Sequence, residues 1–322
     1  MFTPQNIVSD KPPFQSLLRI TLNVILGFVI VGPLLGFAVA SSFYGGDLLG
    51  DLEKTTGQPG LVGAILLMQA IVTFIGLILF PIIHITQLEH KPLKPFFPSN
   101  SQTLLMLLLV AGVGLTFPIS ISPLAEWNLN FKFPEFMSGF ENWAMHEEER
   151  LGKLTALITD FKSAGDMLIG VLVIALLPAI GEELVFRGMI QRELWRGTQN
   201  IHLAIWVSSA IFSAIHMQFY GFVPRLLLGA LFGYLYYWSG SLMIPMFSHF
   251  FNNAFAVVMV YLNHMEITSI NIEDGEAMPW PYVITCFILT AGLLYYIWRH
   301  YFESPPKHGS PNNSLSHQDA TV

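Results

Sequence analysis

The stretch Met167-Leu-Ile-Gly-Val-Leu-Val-Ile-Ala-Leu-Leu-Pro-Ala-Ile-Gly-Glu182-Glu183-Leu-Val-Phe-Arg187 places two carboxylates and a guanidinium in a long apolar run. A charged side chain near the bilayer centre costs about 2.5–3.5 kcal/mol on insertion scales, so such residues are rare in membrane helices. Where they occur, the first interpretation is a functional site. The pair Glu182–Glu183 is therefore the first candidate for chemistry in this chain.

The composition of the chain is typical of an integral membrane protein. Of its 322 residues, 53% are hydrophobic and 11% are charged, against about 25% charged residues in an average soluble domain. The net charge of −7 does not indicate a nucleic-acid partner, because the acidic residues fall mainly in predicted loops. The single cysteine, Cys286, excludes an internal disulfide framework and a cysteine-rich metal cluster. It lies in an apolar run, and we expect it to be an inert packing residue.

The apolar runs predict an all-α, polytopic membrane helix bundle of about eight transmembrane helices. They are long enough to cross about 30 Å of hydrocarbon and lie near 20–40, 61–85, 103–122, 167–195, 202–219, 222–238, 241–262 and 280–298. The runs 222–238 and 241–262 are separated by two residues only, so a single bent element is the alternative there. Within the longest connection, 123–166, the part from Pro134 to Lys162 is either an interfacial helix or an ordinary outer loop.

The distribution of lysine and arginine predicts that both termini lie inside. Short outer loops then carry only Lys54 and Arg225, in agreement with the excess of positive charge on the inner side of membrane proteins. We expect a multipass protein of a bacterial cytoplasmic membrane. Ala38-Val39-Ala40 resembles a signal-peptidase site, but the preceding apolar run exceeds a signal peptide's, which favours an uncleaved helix. The inner segments carry Lys11, Arg19, Lys91, Lys94, Arg187, Arg192, Arg196, Arg299 and Lys307.

These features divide the chain into five predicted parts. They are an N-terminal tail (1–16), the N-terminal transmembrane helices with the long outer loop (17–164), a catalytic core (165–262), an outer loop with the last transmembrane helix (263–302), and a disordered C-terminal tail (303–322).

Three polar clusters are expected at the same depth in the membrane. Besides the glutamates, they are Phe212-Ser-Ala-Ile-His216 and Ser248-His249-Phe-Phe-Asn252-Asn253. At about 1.5 Å of helical rise per residue, Glu183 lies roughly 18 Å, His216 roughly 21 Å, and His249 to Asn253 roughly 12–18 Å from the inner surface. Because all three clusters reach the middle of the membrane from the same side, they can converge on one site.

Helical spacing predicts different roles within the clusters. Glu183 and Arg187 are four residues apart with the acid first, the better orientation for an ion pair. Glu182 points about 100° away around the helix and is not matched by that arginine. His249 and Asn253 share one helical face, which Ser248 and Asn252 flank as weaker candidates. Glu183 is therefore predicted to be structural, and Glu182 to be free for chemistry.

A glutamate, two histidines and an asparagine suit the hydrolysis of an amide. Glu182, helped by His216, can take a proton from water and pass it to the leaving amine. His249 and Asn253 can donate hydrogen bonds to the oxyanion of a tetrahedral intermediate. The set Glu182, His216 and His249 can alternatively hold a zinc ion with an open position for water. Both interpretations stay open at this stage.

These residues resemble the motifs of the CPBP family of intramembrane proteases, which includes the type II CAAX prenyl endopeptidases and bacteriocin-immunity proteins. The family motifs Glu-Glu-x-x-x-Arg, Phe-x-x-x-His and His-x-x-x-Asn correspond in order to Glu182 to Arg187, Phe212 to His216 and His249 to Asn253. The resemblance covers about 165–260, roughly a third of the chain.

The resemblance implies a function and a role for each motif residue. Glu182 and His216 would activate water, His249 and Asn253 would stabilise the oxyanion, and Glu183 and Arg187 would support them. The expected partners are the lipid bilayer and a membrane-embedded or lipidated protein or peptide substrate, cut at or near the inner membrane face. Prenylated substrates are not assumed, because the first three spans and the long loop fall outside the motifs.

Other classes of protein are weighed against the protease. A non-catalytic immunity or scaffold protein would keep the bundle, with the Glu183–Arg187 pair only joining helices. A transporter would also place broken, charged helices at the midplane, but its two halves would be related by symmetry, and the sequence has no such repeat. The chain lacks His-Glu-x-x-His, a convincing pair of intramembrane aspartates and a Gly-x-Ser site within a span, which disfavours other intramembrane proteases.

Overall fold

The structure, a computed structural model, describes residues 9–44, 47–54, 60–98, 104–272 and 274–303. Within these ranges, apart from short 3₁₀ turns, eleven helices form the fold. They are α1 (Pro13–Tyr44), α2 (Leu48–Lys54), α3 (Leu61–Leu88), α4 (Leu104–Ser120), α5 (Ser122–Leu129), α6 (Ser138–Ile158), α7 (Ala164–Thr198), α8 (Ile201–Ala214), α9 (Phe219–Ser239), α10 (Met243–His264) and α11 (Trp280–His300).

The all-α, multipass architecture is confirmed, with fewer spans than predicted. Among the described helices, α1, α3, α7, α9, α10 and α11 are long and apolar enough to cross a membrane, and α4 with α5, bent by 44°, makes a seventh if the pair is one span. The predicted span 202–219 corresponds to α8, whose 14 residues extend only about 21 Å. The helix ends at Ala214, before His216, and the next residue, Met217, adopts a positive φ of 58°.

The structure decides the alternatives left open in two segments. The runs 222–238 and 241–262 are separate helices, because Gly240 ends α9 in the left-handed conformation with a φ of 69°. The segment from Pro134 to Lys162 contains the helix α6. The first helix begins at Pro13, earlier than the predicted limit of the tail at residue 16. Most of the predicted C-terminal tail, 304–322, lies outside the described residues.

Hydrogen bonds between connections define two opposite ends of the bundle. At one end, Arg196 donates to the carbonyl oxygen of Ser9 at 2.8 Å, and the Leu242 amide donates to that of Phe96 at 2.9 Å. We call this end the basic face; it carries the connections 9–12, 89–98, 199–200 and 240–242. It is the end that the sequence predicts to lie inside.

The opposite end, which we call the cap face, carries residues 121–163, 215–221 and the described part of 265–279. There the Asn128 side chain donates to the carbonyl oxygen of Phe219 at 3.3 Å, and the Met278 amide donates to the Ser122 hydroxyl at 3.1 Å. The α8–α9 connection, which follows His216, is thus in contact with the helix α5 of the cap face. Helix α6 packs against the same connection.

Helix α7 lies at the centre of the bundle and contacts α1, α3, α8, α9 and α10. Small residues allow these close approaches, as is usual between membrane helices. A Cβ atom added to Gly181 would lie 2.5 Å from the Leu77 Cβ, and one added to Gly114 would lie 2.4 Å from the Ser248 carbonyl oxygen. Close approaches of this kind thus join α7 to α3 and α4 to α10.

Candidate active site

Glu183 is the centre of a buried network that joins three helices. Its side chain is 0% exposed, and its Oε1 atom accepts hydrogen bonds at 2.8 Å from Arg187 Nη1 and at 2.8 Å from His249 Nδ1. Arg187 Nη2 also donates to the carbonyl oxygen of Gly229 in α9 at 2.7 Å. A buried charge is tolerated only when it is paired and hydrogen-bonded. This network therefore fixes α10 and α9 to α7 at the level of the glutamates.

The Glu183–Arg187 contact agrees with the expectation from helical spacing, whereas the bond between Glu183 and His249 was missed. Helical spacing relates residues of one helix only, and His249 is 66 residues away on α10. The segment Leu184–Ile190 after Glu183 is π-helical, a conformation frequent at functional sites. There Ser208 of α8 donates to the Phe186 carbonyl oxygen at 3.1 Å, which adds α8 to the assembly.

Glu182 lies outside this network. Its side chain is 16% exposed, and its Oε2 atom is 3.7 Å from His249 Nε2, too long for a hydrogen bond. The imidazole of His249 therefore lies between the two carboxylates, bonded to Glu183 through one nitrogen and facing Glu182 with the other. One carboxylate is buried and bonded, while the other remains accessible.

His216 is held in one orientation at the end of α8. Its Nδ1 atom is 2.7 Å from the Phe212 carbonyl oxygen. Because a carbonyl oxygen only accepts, Nδ1 carries a proton in this hydrogen bond, and Nε2 of a neutral ring then presents its lone pair. The Phe212 ring contacts both imidazoles, with centroid distances of 5.0 Å to His216 and 6.1 Å to His249. The two histidines thus flank one aromatic ring.

His249 and Asn253 occupy one face of α10. The Phe232 ring of α9 stacks on His249 at 4.7 Å with an interplanar angle of 16°. The Asn252 amide nitrogen donates to Asn253 Oδ1 at 3.0 Å, which leaves the Asn253 amide nitrogen directed elsewhere as a donor. Asn253 is half-buried. The motif spacing predicts neither the stacking of Phe232 on His249 nor the hydrogen bond between Asn252 and Asn253.

The zinc alternative requires Glu182, His216 and His249 to be placed as one ligand set. In the part of the chain that the structure describes, no group of three or more His, Cys, Asp or Glu side chains is placed to hold a metal ion. The set Glu182, His216 and His249 is therefore not assembled as a ligand set. Both histidines use Nδ1 for hydrogen bonds to the protein, as metal ligands also do. The chemistry below is accordingly derived from side chains alone.

Three further polar residues, two of them on the cap face, are joined by hydrogen bonds near Glu182. Arg225 donates to the side-chain oxygen of Gln218 at 3.0 Å, and Gln218 donates to Glu148 of α6 at 3.3 Å. Arg225 is also within electrostatic range of both Glu148 and Glu182. Burial raises the pKa of the Glu148 carboxyl, an effect that Arg225 opposes. The sequence predicts Arg225 to be a charge of a short outer loop, whereas in the structure it lies within α9.

Comparison with known proteins associates this part of the chain with a protease family. Residues 164–255 match the family model described as type II CAAX prenyl endopeptidase Rce1-like. The match includes all three motifs and supports the assignment of this segment to the CPBP family of intramembrane proteases. The uncharacterised protein YpbD of Bacillus subtilis (strain 168) is 29% identical over 99 residues, which are 30% of this chain and 48% of YpbD. The chain thus spans about half the length of this curated relative. No solved structure matches this chain.

The buried ion pair leads to a stability prediction. Arg187→Met leaves the Glu183 carboxylate buried without its cation, so we expect the protein to lose about 3–5 kcal/mol of stability. The matched control is Arg150→Met, which removes an arginine that is 57% exposed and paired with Glu147 and should cost at most about 1 kcal/mol. Thermal unfolding in detergent measures both. Similar unfolding temperatures for the two variants would contradict the network described for Glu183.

Proposed function

We propose that this protein is an intramembrane endopeptidase that hydrolyses peptide bonds of membrane-associated substrates with a water molecule activated by Glu182 and His216. The main support is the contrast between the two glutamates. Glu183 is 0% exposed and bonded to Arg187 and His249, whereas Glu182 is 16% exposed and has no such bond to either. A general base needs an accessible carboxylate near groups that can stabilise the charge formed on the substrate.

The reaction begins with the activation of water. Glu182 accepts a proton from the water while the water oxygen attacks the carbonyl carbon of the scissile peptide bond. His216 accepts a hydrogen bond from the same water at Nε2, because its Nδ1 proton is engaged by the Phe212 carbonyl oxygen. A bond forms between the water oxygen and the carbon, and the carbonyl oxygen becomes an oxyanion.

His249 and Asn253 stabilise that oxyanion. The Asn253 amide nitrogen is a donor whose orientation is set by the hydrogen bond from Asn252. His249 donates from Nε2; since its Nδ1 proton is donated to Glu183, both ring nitrogens must be protonated in this state. The imidazolium charge then lies between the Glu183 carboxylate and the developing negative charge of the oxyanion.

Collapse of the tetrahedral intermediate completes the hydrolysis. Glu182 gives its proton to the leaving amide nitrogen, the carbon–nitrogen bond breaks, and the products are a carboxylic acid and an amine, which becomes protonated as the acid ionises. Glu183 and Arg187 do not touch the substrate in this scheme. They are positioning residues, because they hold the His249 ring and join α7 to α9 and α10.

The proposed location is a bacterial cytoplasmic membrane. The proposed substrate is a membrane-embedded or lipidated protein or peptide. Six or seven helices suited to crossing a bilayer support the membrane location. The family match supports a CAAX-type protease. The match covers 164–255 and does not include the helices before residue 164. The substrate is therefore identified by experiment.

The identity of the general base is tested by Glu182→Gln. We expect this change to reduce cleavage of membrane-anchored, internally quenched peptides by at least about 10²-fold, because general base catalysis contributes 10²–10⁴-fold. The protein should remain folded, since Glu182 is outside the buried network. Wild-type protein should keep its activity after treatment with EDTA and contain no stoichiometric zinc by elemental analysis.

Two outcomes would contradict this scheme in different ways. Full activity of Glu182→Gln would exclude Glu182 as the base. Stoichiometric zinc, together with loss of cleavage in EDTA, would favour a metalloprotease. A cellular phenotype that survives Glu182→Gln combined with His249→Ala would instead indicate a non-catalytic immunity or scaffold protein.

The oxyanion site is tested with a pair of neighbouring asparagines. We expect Asn253→Ala to lower kcat by about 10²–10³-fold, as removal of one oxyanion donor does in other enzymes, with little change in KM. Asn252→Ala removes only the group that orients Asn253, so its loss should be smaller than tenfold. Steady-state kinetics in proteoliposomes measure both, and equal losses of kcat would contradict the assignment to Asn253.

A further inference from the structure

The two sides of the glutamate pair differ in polarity. Towards the basic face, α7 continues with Leu184, Phe186 and Arg187, which are 3%, 3% and 0% exposed. The facing parts of α9 and α10 are equally buried there, with Leu235 and Ile244 both 0% exposed. The described side chains on this side of the glutamates are therefore closely packed.

Towards the cap face, the surroundings of Glu182 are polar and partly exposed. Gln218 and Arg225 are half-buried and bonded to each other, and Gln218 is bonded to Glu148 of the helix α6. Arg225 lies within electrostatic range of both Glu182 and Glu148. Hydrogen bonds thus join Arg225 to the cap face, and Arg225 interacts electrostatically with the partly exposed carboxylate of Glu182.

Helix α6 covers these polar residues through a small set of contacts. Besides the Gln218–Glu148 bond, the Phe140 and Trp143 rings contact Phe219 with centroid distances of 5.0 and 5.5 Å. On its other side, α6 contacts α3 through a shared hydrophobic cluster that includes Ile158 and Leu61. Beside this contact lies a cavity of about 480 Å³ between the two helices, lined by Leu61, Ile65, Arg150, Lys153, Leu154 and Leu157. The helix therefore contacts the α8–α9 connection on one side and borders a cavity on the other.

We propose that substrates reach Glu182 from the cap face, between α6 and the connection 215–221, and that the enzyme cuts segments of membrane-anchored proteins lying on that side of the membrane. This inference rests on the proposed peptidase function and specifies how its site is reached. Glu148, Gln218 and Arg225 line the route, so α6 must separate from the connection when a peptide enters.

The charge distribution assigns the cap face to the outer side. Among the short connections, 9–12 and 89–98 at the basic face carry Lys11, Lys91 and Lys94, whereas the described residues of 215–221 and 265–279 at the cap face contain no lysine or arginine. The longer cap-face segment 121–163 carries Lys132, Arg150, Lys153 and Lys162 and departs from this pattern. An excess of lysine and arginine marks the inner side of a membrane protein. The substrate class is therefore an extracytoplasmic juxtamembrane segment, in contrast to the inner-face cleavage expected from the sequence.

A reversible crosslink tests the route. In a Cys286→Ser background, Glu148→Cys with Gln218→Cys is joined by a short, reducible thiol-specific linker, which locks α6 onto the connection. We expect the lock to lower cleavage more than tenfold and dithiothreitol to restore it. The matched control is Asp10→Cys with Lys91→Cys at the basic face, a pair with the same side-chain separation of 3.3 Å. Its crosslink should leave cleavage within twofold, and full activity with α6 locked would overturn the proposal.

A labelling experiment decides the side of the membrane without a substrate. In the same background, Gln218→Cys should react with a membrane-impermeant maleimide in intact spheroplasts. Gln87→Cys, an exposed position at the basic-face end of α3, should react only after permeabilisation. The reverse pattern would overturn the extracytoplasmic substrate class.

Failure of the peptidase function gives a different result from failure of the route. If cleavage by the unlocked protein survives Glu182→Gln, the peptidase function is wrong, while labelling at Gln218 still reports whether the cap face is open to solvent. If cleavage depends on Glu182 but is unchanged by the crosslink between positions 148 and 218, the peptidase function is supported and the proposed route is wrong.

Discussion

The carboxylate of Glu183 is the group on which the arrangement of this membrane bundle depends. It accepts hydrogen bonds from Arg187 on its own helix and from His249 on α10, and Arg187 continues to the Gly229 carbonyl oxygen on α9. In a bilayer, helices have little hydrophobic reason to prefer one neighbour over another, so polar contacts and close packing determine their positions. A carboxylate without its cation would be costly at this depth, which keeps the three helices in one register.

The same network separates the roles of two adjacent acids. Successive residues of a helix point about 100° apart. The Glu182 side chain is therefore partly exposed, while the Glu183 side chain faces the core. His249 lies between them, bonded to Glu183 through Nδ1 and 3.7 Å from Glu182 through Nε2. The protein thereby obtains an accessible carboxylate and an oriented imidazole from a single helical turn. The bulky rings of Phe212 and Phe232 enclose Arg187 and His249, which limits water on the basic-face side.

Much of this arrangement could be predicted from the sequence, because it depends on helical periodicity. Apolar run lengths predict the all-α bundle, and i,i+4 spacing predicts the Glu183–Arg187 contact. Length alone overestimated the span at 202–219, since the apolar run continues beyond the point where Met217 turns the chain. The Glu183–His249 bond and the positions of Gln218 and Arg225 relative to α6 depend on how distant helices pack. No periodicity within one helix contains that information.

The most direct test of the central claim compares the thermal unfolding of Glu183→Gln and Glu182→Gln in the same detergent. The account predicts a clear fall in the unfolding temperature for Glu183→Gln, because Arg187 would be left buried without its counter-charge. Glu182→Gln should unfold within about a degree or two of the wild type, since it removes no hydrogen bond of the network. Equal destabilisation by the two changes, or a larger loss for Glu182→Gln, would contradict the division of roles between the two glutamates.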